Sequence, residues 1–339
     1  MSALLKSKTH FFIHIPKCGG NTFSEFLSRH FHLNSIYTAE QSYKDWVTYR
    51  ETLHSFNVAE ERDQWLALNS LNDYFLAGMQ HSQLVAFNHF SFYTASMLAK
   101  THDLILYCVF REPKLRVAAH YQHLRRITPN LTHSLAQEGN LLYDFARSVD
   151  IEDFCSALHR DDVWNAIFNC QARMLASEPV NRFLLQSIGE QAIVDDALNN
   201  MAKIKYVADI SCLQEFAELL SQEQEWPAPG HLGVMNQGSH AADELLTLAE
   251  KVPNEVVVMD ERIVSEARER YRVWRDKLKS SEEAGISRAP EIPPFGPDKQ
   301  WVLDFRAPLN GTNFHSREGD NSDIFRWMGP ETKSTLLLA

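Results

Sequence analysis

His10–Phe11–Phe12–Ile13–His14–Ile15–Pro16–Lys17–Cys18–Gly19–Gly20–Asn21–Thr22–Phe23 is the stretch that decides the fold. Its first half reads as a buried strand, stopped at Pro16, which has no N–H to give a ladder. Past Gly19 and Gly20, Phe23, Phe26, Leu27 and Phe31 recur at helical spacing, so a helix opens just after the glycines. Strand, glycine loop and helix together aim first-turn amides and the positive end of a helix dipole at one spot, where an oxyanion is favoured. Thr22 adds a hydroxyl and Lys17 a mobile positive charge. The stretch is not a Walker A loop, because Lys17 precedes the glycines and no Ser or Thr directly follows it to hold magnesium. The same residues also suit a plain Gly–Gly turn with a surface lysine.

Outward from this stretch, the spacing predicts mostly polar helix over 39–80 and a short strand over Gln83–Asn88. Asp103–Phe110 is too apolar for alternation and reads as a strand buried on both faces, the habit of parallel sheets. Pro113 suits the first turn of the next helix, with Val117, Tyr121 and Leu124 on one face. Helical patterning fills 130–203, Ile204–Ala208 is a short strand, and Ser211 with Gln214 forms a capping box for a helix through Leu220. A last long helix runs over Val256–Leu278, with Ile263, Ala267, Tyr271 and Trp274 on one side. Alternating strands and helices predict a three-layer α/β fold around a central parallel sheet. Residues 1–279 form this domain, and 280–297, with Pro290, Pro293, Pro294 and Pro297, form a linker. Residues 298–339 read as a small β appendage, with strands at Trp301–Phe305 and Ile324–Met328 around Gly/Asn-rich turns.

The 339 residues carry 33 basic and 44 acidic side chains, a net charge of −11. Such a chain has no global attraction for nucleic acid or anionic membrane, so an anionic ligand needs a local basic cluster. One stands between Arg111 and Arg126, where Arg111, Lys114, Arg116, Arg125 and Arg126 face Glu112 alone. Nothing approaches the ~18 apolar residues of a membrane span, and no apolar signal core precedes the first strand. The five cysteines, Cys18, Cys108, Cys155, Cys170 and Cys212, show no CxxC pairing, which favours a reducing compartment and a cytoplasmic location. The sequons at Asn130 and Asn310 then read as chance occurrences.

Arg111 stands at the carboxyl end of the best strand, the edge where open parallel sheets hold ligands, and a guanidinium forks onto phosphate. A solvated helix face explains Lys114 and Arg126 but not an arginine at a strand end. Phe87–Asn88–His89–Phe90–Ser91–Phe92 puts His89 at another strand end, and histidine is suited to general base chemistry near neutral pH. The pairs His30/His32 and His120/His123 lack a cysteine or carboxylate at ligand spacing and read as surface or core residues, so no metal site is expected.

His14 through Phe23 resembles the 5′-phosphosulfate loop of the carbohydrate sulfotransferases related to the heparan sulfate 2-O- and 6-O-enzymes. That family has threonine where Cys18 and Asn21 stand here. Phe110–Arg111–Glu112–Pro113 through Tyr121 resembles the family's second signature, Arg-(Asp/Glu)-Pro followed by a helix with Ser-x-Tyr, except that its serine falls at Ala119. The segment around His89 is similar to a Gly-His-x-Ser-Phe segment whose histidine is the base. Asn169–Cys170–Gln171–Ala172–Arg173–Met174–Leu175 resembles, more loosely, an Asn-x-Gln-Thr-Arg-x-Leu run with polar side chains facing the cleft. The likeness covers about residues 8–277, and only the first two motifs are specific.

The resemblance implies a P-loop NTPase-like fold and transfer of a sulfuryl group from 3′-phosphoadenosine 5′-phosphosulfate to a hydroxyl of a carbohydrate or glycolipid acceptor. It implies Lys17, Cys18, Gly19, Gly20, Asn21 and Thr22 at the 5′-phosphosulfate and Arg111 and Ala119 at the 3′-phosphate. It further implies Lys17 and His89 as the catalytic pair. Asn236–Gln237–Gly238–Ser239 is a candidate to replace the donor missing at Ala119. A lysine on the entry side of the loop suits a group bridged between phosphate and sulfate, handled without a metal. Two other readings stay open: a nucleotide kinase or NTPase of related fold, and a non-catalytic glycan-binding protein, for which the tail with Trp327 is the support.

Overall fold

A computed structural model describes residues 8–38, 41, 75–87, 89–126, 140–232, 242–283, 310–312 and 335–337. Five parallel strands, β1 (Lys8–Ile13), β2 (Ile36–Tyr37), β3 (Leu84–Val85), β4 (Asp103–Phe110) and β5 (Tyr206–Asp209), form one sheet in the order β2-β3-β1-β4-β5. The pairing of β1 with β4 runs in register from Lys8 opposite Asp103 to Ile13 opposite Cys108, and β3 lies on the other side of β1.

Alternation along each strand sends side chains into two cores. Phe11, Ile13, Val85, Leu106, Cys108, Phe110 and Val207 enter one, with α2 (Phe92–Leu98), α4 (Cys170–Leu175), α5 (Glu190–Met201) and α7 (Val258–Glu283) supplying the rest. Phe12, Leu84, Tyr107, Val109, Tyr206 and Ala208 enter the other, under α1 (Gly20–Ser28) and α6 (Leu213–Glu223). The sheet is therefore flanked by helices on both faces, as burial of both sides of parallel strands requires. A third cluster packs Val117, Tyr121 and Leu124 of α3 (Pro113–Arg126) against Ile151, Phe154, Val163 and Ile167 from two short helices, Ile151–Ser156 and Asp161–Ile167. No described helix is long and apolar enough to cross a membrane.

The chain winds from β1 out to β2 and β3 on one side and from β4 to β5 on the other. The carboxyl ends of β1 and β4 thus flank the point where winding reverses, where open sheets leave a crevice.

Three local expectations change. The strand expected over 204–208 forms at Tyr206–Asp209. Ser211 and Gln214 make no capping box: Asp209 accepts from the Ser211 amide (2.9 Å) and hydroxyl (2.8 Å), while Gln214 Oε1 accepts from the Leu232 amide (2.8 Å). The last helix begins at Val258 and runs to Glu283, so the start of the stretch read as linker is helical; no Gly or Pro interrupts it before Gly285. Of the tail, β6 (Asn310–Thr312) and β7 (Thr335–Leu337) pair antiparallel. The strands expected at 301–305 and 324–328, the Asn236–Ser239 turn, Asn88, and most of 39–80 lie outside the described residues.

Candidate functional site

The loop after β1 is built by its glycines. Gly19 caps α1 with φ 79°, a left-handed conformation that costs a side-chain-bearing residue, and a Cβ there would lie 2.8 Å from Ile210 Cδ1. A Cβ on Gly20 would fall within the His14 imidazole, which is buried and stacks on Phe12 at 5.2 Å between centroids. The glycines thus let α1 start against the end of β1. The first-turn amides of Gly20 and Asn21 point out of the start of the helix, as at any α-helix start. Asn21 is exposed and Thr22 buried.

Lys17 has φ 69°, an uncommon left-handed backbone for a lysine. Its carbonyl accepts from Arg111 Nη1 at 3.1 Å, so the loop lysine and the strand-end arginine meet across the β1–β4 edge. Burial first, then the Arg111 and Arg126 charges, bring the Lys17 ammonium from 10.5 down to about 8. Cys18 differs from the expectation of a residue facing an anion. Its amide donates to the Ile15 carbonyl (3.3 Å), and its buried thiol points inward to Gln171 Oε1 (3.5 Å). Burial raises the Cys18 thiol far above its ordinary value, so it is a neutral, inert group.

The Arg–Glu–Pro step is explained by the helix it starts. Glu112 Oε1 and Oε2 accept from the amides of Lys114 (3.2 Å) and Leu115 (2.5 Å), while Pro113 occupies the first helical position. Arg111 is held by its backbone, so its guanidinium is directed by the strand end; burial lowers its pKa, and its Nε is buried without a partner among the described residues. Arg116, counted in the basic cluster, turns the other way. It is fully buried and donates to the carbonyls of Ala166 (3.2 Å) and Ile167 (3.0 Å). Arg125 binds the Tyr121 hydroxyl, and Ala119 is half-buried on α3.

His89 lies beyond β3, on the other flank of β1. Its Nδ1 is 3.0 Å from the His14 carbonyl oxygen, which only accepts, so Nδ1 carries the proton and Nε2 is the basic nitrogen. The two rings lie 4.4 Å apart between centroids. His89 is exposed as a residue, yet the protein around its ring lowers its pKa, against the bond to the His14 carbonyl, and Lys17 lowers it further. Lys17, His89 and Arg111 therefore project from the ends of three adjacent strands, β1, β3 and β4.

Sequence reasoning missed His120 and His123 as neighbours of this edge. Both imidazoles are depressed, by the surrounding protein first and also by Lys17 and His89, with His123 at about 4. Their spacing places them on the flank of α3 beside the Val117/Tyr121/Leu124 face, but spacing along one helix does not show what packs over that flank. His30 instead stacks on Trp226 at 4.3 Å, away from this edge. Asp209, at the end of β5, is committed to Ser211 and to Arg268 Nε (2.7 Å). Among the described residues no group of three or more His, Cys, Asp and Glu is arranged to hold a metal ion.

The arrangement gathers two cations, a helix start and a neutral imidazole at the reversal point of a parallel sheet, and so suits an anion with a proton acceptor beside it. No protein-family model matches the chain, and no curated protein matches it.

Proposed function

We propose that this protein is a sulfotransferase that moves a sulfuryl group from 3′-phosphoadenosine 5′-phosphosulfate to a hydroxyl of a carbohydrate or glycan acceptor, on a P-loop-like three-layer domain. The observation that carries the reading is the meeting of Lys17 and Arg111 at the strand edge, where Arg111 Nη1 donates to the Lys17 carbonyl at 3.1 Å. An ammonium and a guanidinium held side by side suit a phosphate, which each can meet with charge-assisted hydrogen bonds.

In this reading the amides of Gly20 to Thr22 and the Lys17 ammonium hold the 5′-phosphosulfate. Arg111 takes the 3′-phosphate, close to Ala119. The sulfur–oxygen bond to the 5′-phosphate breaks as the acceptor oxygen bonds to sulfur in line, and the acceptor proton passes to His89 Nε2. Lys17 neutralises the departing phosphate oxygen. Asp209, the acidic strand-end group that a magnesium-dependent kinase would want, is occupied by Arg268, which favours transfer without a metal.

Calorimetric titration with adenosine 3′,5′-bisphosphate in excess chelator tests the reading. Binding of the bisphosphate, with sulfuryl transfer persisting in chelator, is the expected result. Failure to bind it, or an activity strictly dependent on added magnesium, overturns the reading.

A further inference from the structure

Gln171 is fully buried on α4, and one side-chain amide engages both sides of the Arg111 backbone. Its Oε1 accepts from the Arg111 amide at 3.0 Å, and its Nε2 donates to the Arg111 carbonyl at 3.0 Å. The same Oε1 is 3.5 Å from the Cys18 thiol. Arg111 Nη1 in turn reaches the Lys17 carbonyl at 3.1 Å, and Lys17 is bonded to Cys18. The contacts close a ring: Lys17, Cys18, Gln171, Arg111 and back to Lys17. The ring's anchor is firm, because Asn169 starts α4 with φ 41° and its Oδ1 accepts from the amides of Met259 (2.8 Å) and Asp260 (3.2 Å) on α7. The Ala172 amide donates to Asp260 Oδ1 at 2.8 Å, so a second bond pins the helix that carries Gln171.

From this ring we infer that Gln171 is a positioning residue that joins the loop after β1 to the end of β4, so that the lysine and arginine halves of the site move as one unit. It touches no ligand; it acts through Arg111 and Cys18. The inference deepens the sulfotransferase reading and rests on it for the identity of the nucleotide. In those terms Gln171 sets how well Arg111 discriminates a 3′-phosphorylated nucleotide from one without that phosphate. The thiol at 18 faces this ring and not the loop's mouth, so replacing the family's threonine leaves the anion cradle's own donors unchanged.

Two measurements on the full chain test it, with Gln171→Met to remove the amide at similar volume and Gln171→Glu as a second variant of the same size. Without nucleotide, amide exchange should quicken by about tenfold over residues 15–20 as well as at 111–112, because both segments lose one shared anchor. Quickening confined to 111–112 overturns the coupling. With nucleotide, each variant should lose about tenfold in affinity for adenosine 3′,5′-bisphosphate and at most about twofold for adenosine 5′-monophosphate. In an Arg111→Ala background the same change should cost nothing further in discrimination between the two nucleotides, since that discrimination is read by the Arg111 side chain. Equal losses for the two nucleotides, or a further loss of discrimination in the Arg111→Ala background, overturn the positioning role. If the unaltered chain binds neither nucleotide, the nucleotide reading falls, while coupled exchange of the two segments still decides the ring.

Discussion

The loop at 15–20 and the helix α3 border the same edge of the sheet, yet different things fix them in place. In the loop, the backbone dictates the chemistry: Gly19 has φ 79°, Gly20 is pressed against the His14 ring, and few side chains satisfy both demands. In α3, the backbone is an ordinary helix capped by Glu112, and everything depends on which way each long side chain turns. Arg111, just before the helix, reaches the Lys17 carbonyl at the sheet edge, whereas Arg116 spends its charge inside the protein on the carbonyls of Ala166 and Ile167. Two arginines five positions apart thus belong to different parts of the molecule. A glycine-built loop declares its backbone in sequence, while a cationic helix face does not say which charges turn inward.

The largest effect expected lies on the loop side of this comparison. His89→Ala should slow sulfuryl transfer by about 10²–10⁴-fold, the usual range for a general base, with binding of adenosine 3′,5′-bisphosphate near normal. Lys17→Ala should slow transfer by about 10²–10³-fold and should also slow hydrolysis of the donor by water, because both reactions expel the same phosphate. Single-turnover assays of the two variants with and without acceptor give the answer. Near-normal transfer by His89→Ala would assign the base elsewhere, with the His14 ring, 4.4 Å away between centroids, and His123 the imidazoles to inspect.

On the helix side, the two arginines should separate in a thermal melt. Arg116→Ala removes a buried charge that stabilises the buried Asp260 carboxylate, whose pKa burial already raises to about 6. That loss should destabilise the fold by roughly 3–5 kcal/mol. Arg111→Ala should change stability much less and should instead abolish measurable discrimination for the 3′-phosphate. Similar melts for the two variants would erase the distinction drawn between them.

What was legible in the sequence follows the same division. β1, β4 and the helix start at Gly20 come from apolar runs bounded by Pro16, Gly19 and Pro113, signals that act locally. That Lys17, Arg111 and His89 lie along one edge is legible because each stands just past a strand end, and a parallel sheet brings those ends together. The inward turn of Cys18, the Gln171 ring and the nearness of His120 and His123 to Lys17 were not legible, because they depend on α4 and α3 docking over long sequence separations. The end of α7 departs from expectation for a simpler reason: serine and glutamate at 280–283 read as linker, but without a Gly or Pro the helix continues.

The smallest effect tests the loop through pH. With its ammonium lowered to about 8 by burial and by Arg111 and Arg126, Lys17 loses its proton in an accessible range. An anion bound beside it favours the charged form, so each pH unit above about 8 should weaken adenosine 3′,5′-bisphosphate binding by up to about tenfold. Stability should move the opposite way. The folded lysine titrates near 8 and the unfolded one near 10.5, so between those values the unfolded chain holds more protons. The contribution of Lys17 to stability therefore rises with pH across that window, and weaker binding there is not the beginning of unfolding. Lys17→Arg keeps its charge throughout the range and should flatten the binding profile. A profile equally steep in Lys17→Arg would mean that another group carries the titration and that Lys17 does not face the anion.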